Sequence, residues 1–312
     1  MASSSPRPVA VPDPERARTV IAPPEDGPGN WAGAPSACLS DGMFYLAYRL
    51  RRPLGEGRGH AVVVARSADG IRFDPLVTIT KEEMGTESLE RPALARTEDG
   101  AWRLYLSCAT TGTKHWRVEL LEADDPAGFD PRTARVVLPG SDRFGVKDPV
   151  IVHTGGKWHL WASCHPLDDP HATDRMVTDH ATSADGLEWT WQGTVLSGRP
   201  GLWDARGARV TAVVLDDGRT VAYYDGRASA AENYEERTGV ALGDGFGILT
   251  AHGTEPAAAS PYAGHGLRYV CPVALPGGGH RFYYELTRLD GAHDLCTEVH
   301  DGPLVGGGLS VA

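Results

Sequence analysis

Lys147-Asp148-Pro149-Val150-Ile151-Val152-His153-Thr154-Gly155-Gly156-Lys157-Trp158-His159-Leu160-Trp161 reads as a β-hairpin: an apolar run opened by proline, a glycine turn, and an aromatic-rich return strand. The same phrase stands 57 residues earlier, where Arg91-Pro92-Ala93 leads through Asp99-Gly100 to Trp102-Arg103-Leu104-Tyr105. Another 57 residues back, Ala34-Pro35-Ser36 leads through Asp41-Gly42 to Met43-Phe44-Tyr45-Leu46. Two looser copies follow: Arg209-Val210-Thr211 through Asp217-Gly218 to Thr220-Val221-Ala222-Tyr223-Tyr224, and Tyr269-Val270-Cys271 through Pro276-Gly277-Gly278 to Arg281-Phe282-Tyr283-Tyr284. Five copies of one hairpin at a period near 57 predict an all-β, five-bladed β-propeller with four antiparallel strands per blade.

A second phrase, Ser67-Ala68-Asp69-Gly70-Ile71-Arg72-Phe73, returns as Ser183-Ala184-Asp185-Gly186-Leu187-Glu188-Trp189 and marks the outer strands. No stretch sustains helical periodicity. Blade boundaries are expected near residues 77, 135, 196 and 255. The Pro-, Ala- and charge-rich residues 1–30 read as an N-terminal arm across the last blade, and residues 31–312 as a single propeller domain.

Hydrophobic residues make up 41% of the 312, and no apolar run reaches membrane-spanning length. The N-terminal residues lack the apolar core of a secretory signal. The five cysteines show no CxxC pair or metal-ligand spacing and read as buried thiols, so a reducing cytoplasm is expected. A formal net charge of −11 argues against nucleic acid as a partner. No metal, cofactor or membrane is expected.

Blade topology sorts residues by end of the channel. Inner strands start at one face, the top, where second strands also end; the hairpin turns lie at the bottom. Loops and strand starts on a rigid scaffold are where sites are built, so the top is the expected functional face.

Five blades with Asp148-Pro149 opening the third inner strand resemble the five-bladed propeller glycoside hydrolases, families 43, 32, 62, 68 and 130 among them. The resemblance spans the chain from about Trp31 onward. It implies an acid at the start of the first inner strand as base or nucleophile, a second at the third blade tuning charge and position, and a third at the fourth as general acid. Asp148 matches the third-blade position. The first is missing, since Ala34 precedes Pro35 and Gly33 and Ala32 offer nothing instead. At the fourth, stepping by 57 reaches Arg206, whereas counting back from the turn aligns Arg209; Asp204 is the only carboxylate nearby.

Glycoside cleavage needs a proton for the leaving oxygen and a group that attacks or stabilises the anomeric carbon. Glu90, Asp148 and Asp204 start adjacent inner strands and form the expected catalytic set, with Glu90 and Asp204 as acid/base pair and Asp148 setting charge and orientation. The alternative for each is a structural ion pair or a turn cap. Asp225 and Glu285, ending second strands, either replace the missing first-blade acid or pair with Arg227 and Arg288. Arg91, Lys147, Arg206, Arg209 and Arg268 crowd one channel in an acidic protein. They ask either for an anionic ligand or for those same carboxylates. His165 follows the second strand of blade three as a candidate acid or base. Trp31 is placed to stack on a sugar, whereas apolar packing between blades is expected for Trp102, Trp158, Trp161, Trp189 and Trp191.

These readings describe a glycoside hydrolase-like enzyme cleaving a small anionic glycoside in the channel. Two alternatives stand beside it. One is an inverting phosphorylase using bound phosphate. The other is a non-catalytic propeller that binds a sugar or an anionic metabolite.

Overall fold

The computed structural model describes residues 9–216 and 219–305, so the Asp217-Gly218 turn lies outside the described residues. Among the described residues, twenty strands account for nearly all regular structure, and the only helical elements are single 3₁₀ turns of three residues. No helix among the described residues is long and apolar enough to cross a membrane.

Strand β1 (Arg18–Ile21) precedes the blades in the chain and joins the last of them. Blade one is β2 (Trp31–Ser40), β3 (Met43–Arg51), β4 (Gly59–Ser67) and β5 (Asp74–Thr80); blade two is β6 (Leu89–Arg96), β7 (Trp102–Ala109), β8 (Trp116–Ala123) and β9 (Arg135–Leu138). Blade three is β10 (Phe144–Thr154), β11 (Lys157–Pro166), β12 (Val177–Ser183) and β13 (Thr190–Leu196). Blade four is β14 (Gly207–Asp216), β15 (Arg219–Arg227), β16 (Arg237–Asp244) and β17 (Thr250–His252). Each is a meander of antiparallel neighbours, the order short connections favour. Blade five has three consecutive strands, β18 (Leu267–Ala274), β19 (His280–Thr287) and β20 (His293–His300), and takes β1 as its fourth, antiparallel to β20. The outer strands of the first four blades end close to the expected boundaries.

Each inner strand contacts the next, and β18 contacts β2, so the blades form a ring. Period-two alternation gives every blade two apolar faces, and the core divides into five clusters, one per blade interface. Val62, Val64 and Ile79 of blade one meet Leu94, Trp102 and Leu104 of blade two. Leu46 and Val63 meet Tyr283 and Leu295 where blade five returns to blade one. Trp161 packs between blades three and four as expected, but Trp191 on outer strand β13 is 43% exposed. Cys108 and Cys164 are buried in adjacent interfaces.

The Ser-x-Asp-Gly phrases form the turns that lead into the outer strands. Asp69 Oδ1 accepts from the Ile71 and Arg72 amides, and Asp185 Oδ1 accepts from the Leu187 and Glu188 amides. Gly70 has φ 71° and Gly186 φ 75°, where glycine is favoured. Each glycine carbonyl accepts a tyrosine hydroxyl from a neighbouring blade, Tyr283 for Gly70 and Tyr105 for Gly186.

Candidate functional site

All five inner strands break register at the same point, shortly after they start: between Gly33 and Ser36, Leu89 and Pro92, Lys147 and Val150, Val210 and Ala212, and Arg268 and Cys271. Three of these bulges hold a non-glycine residue at positive φ: Ala34 at 51°, Asp148 at 53° and Tyr269 at 56°. A bulge bends its strand and re-aims the residues beside it. At or next to these breaks stand Gly33, Glu90, Lys147, Arg209 and Arg268, one from each inner strand. Arg209 pairs with Asp225 across the sheet as Arg268 pairs with Glu285, so Arg209 rather than Arg206 is the blade-four counterpart of Arg268, with Thr211 in the place of the prolines.

Glu90, Lys147, Arg209 and Arg268 line a top cavity of about 200 Å³. Its wall carries eight basic side chains (those of Arg49, Arg51, Arg58, Lys114, Lys147, Arg209, Arg227 and Arg268) against three carboxylates, Glu90, Asp174 and Glu236. All three carboxylates are held ionised. Burial alone would raise Glu90, but Arg49, with Lys147, Arg51 and Arg58 behind it, holds its carboxyl well below the usual range. Arg49 bonds Glu90 directly. Glu236 is likewise buried, and Arg268, Arg227 and Arg209 outweigh the burial. Arg268 reaches Glu236 Oε2 at 2.6 Å. The bidentate hydrogen bonds from Arg206 lower Asp174.

His165 also lines the cavity. Burial, then the Lys147 ammonium, push it down to about 3, so its ring is neutral. Nδ1 faces the Thr173 carbonyl at 2.9 Å and so carries the proton; Nε2, 3.0 Å from Ser163 Oγ, accepts from that hydroxyl.

Other predicted residues stand elsewhere. Asp148 does not share the cavity with Glu90. It is fully buried beneath the wall, accepting from the Arg91 amide at 3.3 Å and from Arg209 at 3.1 Å, with Lys147 Nζ at 3.3 Å. Lys147 and Arg209 outweigh its burial and keep it ionised. Asp204 is not at an inner-strand start, because β14 begins only at Gly207. It lies in the preceding turn and accepts from Arg199 Nε and the Tyr224 hydroxyl, each at 2.8 Å, away from the cavity wall and from Glu90's blade. The expected Glu90–Asp204 pair is therefore not assembled.

Arg91 faces down the channel rather than into the top cavity. Its guanidinium donates to the carbonyls of Thr211 and Pro149, each at 2.7 Å, and of Pro35 at 3.4 Å, so one side chain ties three other inner strands at the axis. Arg206 forms a bidentate pair with Asp174 (2.9 and 2.7 Å) and does not line the cavity. Trp31 is 4% exposed and stacks on His293 with ring centroids 4.6 Å apart, which removes it from sugar-stacking reach. Asp225 is fully buried on Arg209 and the Tyr269 amide; burial pushes it up to about 6. Of the five predicted cations, Lys147, Arg209 and Arg268 share the cavity.

Glu285 fills the space beside Gly33 at the start of the first inner strand. A Cβ on Gly33 would lie 1.9 Å from Glu285 Oε2, so the blade-five carboxylate fills the space that a side chain at Gly33 would take. It accepts from the Ala34 amide and Arg49 at 3.0 Å each and from Arg268 at 2.8 Å, and His293 Nδ1 lies 2.7 Å away. It stands behind the wall and orients two of the wall's guanidiniums rather than facing the cavity itself.

Arg51, Arg58, Tyr234 and Glu236 escaped the sequence reading. Glu236 and Tyr234 sit in the loop before β16, which no repeat marks. Arg51 carried a signal: two positions beyond Arg49 on β3, it must share that residue's side of the strand.

No family model and no curated protein matches the sequence. Solved structures do match. A structure from the GH130 family of mannoside phosphorylases, described as containing glycoside hydrolases that target β-1,2 mannosidic linkages in Candida mannan, superposes with a TM-score of 0.65 at 17% identity, over 99% of this chain and 98% of that one. A β-1,2-mannobiose phosphorylase from Listeria innocua gives 0.61 at 15% identity, over 90% and 94%. An α-L-arabinofuranosidase from Lactobacillus brevis gives 0.65 at 14% identity, over 86% and 90%. The chain has the β-propeller fold of these glycoside hydrolases and mannoside phosphorylases, as its repeated hairpins implied.

Proposed function

We propose that the chain is a glycoside-active enzyme that takes a small anionic glycoside into the top cavity. The observation that carries this reading is the cavity wall, with eight cations facing three carboxylates at the channel mouth of a propeller otherwise rich in acid. Cations partly removed from water ask for a counter-charge, and guanidiniums suit carboxylate or phosphate groups. Glu90 is the only acid among the five residues at the inner-strand breaks. Held ionised by its guanidinium neighbours, it suits a carboxylate that stabilises positive charge at the anomeric carbon rather than a proton donor.

A non-catalytic, anion-binding propeller is the second reading, and a specific observation favours it: every carboxylate on the wall is held ionised, so none is ready to protonate a leaving oxygen. The two separate by assay. Nitrophenyl glycosides, neutral and uronic, are incubated with the protein with and without inorganic phosphate, alongside Glu90→Gln. Turnover of a charged glycoside that falls by about 100-fold or more in Glu90→Gln supports the enzyme. Binding without turnover supports the second reading, and neither outcome refutes both.

A further inference from the structure

Most of the buried guanidiniums on the cavity wall are engaged by carboxylates: Arg49 by Glu90 and Glu285, Arg209 by Asp148 and Asp225, Arg227 by Glu236, Arg268 by Glu236 and Glu285. Arg51, at the end of β3, has only a long ion pair with Glu90 and no hydrogen bond to it. It is 2% exposed, and its nearest carboxylate oxygen, on Glu90, is 3.7 Å away, beyond hydrogen-bond reach. Its Nε is buried with no partner among the described residues. The guanidinium carbon lies 4.1 Å from the Trp31 ring centroid and 4.5 Å from that of Tyr234. The two rings flank the guanidinium, and the residue lines the cavity. Stacking and the long Glu90 pair offset only part of the cost of burying this cation. Lining the same cavity, Lys147 Nζ lies 4.8 Å and the Arg58 guanidinium 5.9 Å from the Trp116 ring, the first paired with Asp148 at 3.3 Å and the second with Glu87 at 3.0 Å.

We propose that Arg51 is the specificity residue of this cavity: its stacked fork receives an oxyanion carried on the sugar, with Lys147 and Arg58 completing the seat. The ligand class is then a sugar acid or sugar ester, such as a uronate or a sugar phosphate, rather than a neutral glycoside. This rests on the cavity being a glycoside site. Burial lowers the pKa of Arg51, and Glu90 and Tyr234 restore only part of that loss.

The test is calorimetric titration of glucose, mannose and galactose, their uronates, their 6-phosphates and inorganic phosphate. The proteins are the wild type, Arg51→Met, Arg51→Lys and, as control, Arg96→Ala, whose guanidinium pairs with Asp41 away from the top cavity. At least one charged sugar should bind the wild type more tightly than its neutral parent, more weakly as salt rises. Arg51→Met should lower that affinity by about ten- to a hundredfold, the loss of charge-assisted hydrogen bonds, and leave neutral sugars and the control unaffected. Arg51→Lys should fall between, a point charge replacing a fork. If Arg51→Met does not fold, Arg51→Lys and the salt dependence decide. Charged-sugar affinity unchanged in both variants refutes the seat while leaving the glycoside reading intact. Sugars that bind regardless of charge refute the anion but not the site. Inorganic phosphate binding as tightly as the sugar phosphates shows that the anion is not sugar-borne and overturns the proposal. No sugar binding at all refutes both.

Discussion

Replacing Gly33 with alanine puts a methyl carbon 1.9 Å from Glu285 Oε2, 2.4 Å from its Cδ and 2.5 Å from its Cγ. Gly33 is not at positive φ, so the backbone tolerates alanine and the penalty is steric. Glu285 cannot swing aside cheaply: it is fully buried and engaged by the Ala34 amide, Arg49, Arg268 and His293. Displacing it takes one of two carboxylate partners from each of Arg49 and Arg268. Breaking a buried charge pair costs about 3–5 kcal/mol, and we expect Gly33→Ala to lose that much stability. With a urea slope of about 3 kcal/mol/M, the midpoint of unfolding, read by tryptophan fluorescence, should fall by roughly 1–1.7 M. The cause is isolated by repeating the substitution in Glu285→Ala, where the obstructing carboxylate is gone and most of the penalty should vanish. A loss below about 1 kcal/mol, or an equal loss in both backgrounds, refutes the reading that Glu285 fills the space beside Gly33; the expected range is that of a broken buried pair.

Arg91→Met should cost about 3 kcal/mol or more, because three buried carbonyls lose their donor, while anion affinity at the top cavity stays as in the wild type; unchanged stability in denaturation would show that the axis does not depend on Arg91. Stability should also fall on acidification. Burial, then His159 at 3.2 Å, push His180 down to about 4, so the unfolded chain takes up the proton below pH 6.5 while the folded chain resists it. Between pH 7 and pH 5 this one group should remove about 1–2 kcal/mol. Comparing urea midpoints at the two pH values for the wild type and His180→Phe checks it, and an equal drop in both would assign the loss to other groups.

The fold was legible because each blade repeats its own local instructions: a proline-opened strand, a tight turn, an aromatic return strand, and a Ser-x-Asp-Gly turn whose hydrogen bonds need only neighbouring residues. The site was legible where it rests on that repeat, as with Glu90, Lys147 and Arg268. It was misread where numbering and space part company. Asp204 stands near the fourth inner strand in sequence but belongs to the turn before it. Arg206 lies 57 residues beyond Pro149, yet the bulge register selects Arg209. Glu285 could not be placed by any spacing rule, because its position depends on the absence of a side chain at Gly33, on the neighbouring blade. Charge pairing is similarly hidden, since the sequence shows five cations near one axis but not that carboxylates from facing strands already engage most of them.

Strand β1 completes the fifth blade by pairing with β20, joining Arg18 to Thr297. That contact has almost the greatest sequence separation the chain allows, and contacts of that kind slow folding. On a ribosome adding about 5–20 residues per second, β1 emerges and then waits roughly 15–55 s for its partner. Until β20 arrives, blade five lacks its outer strand, and β1 is a free edge open to the wrong neighbour. Its charged first residue, Arg18, and the short span Arg18–Ile21 limit that exposure. Closure of this pair should therefore be the last and slowest event in assembly.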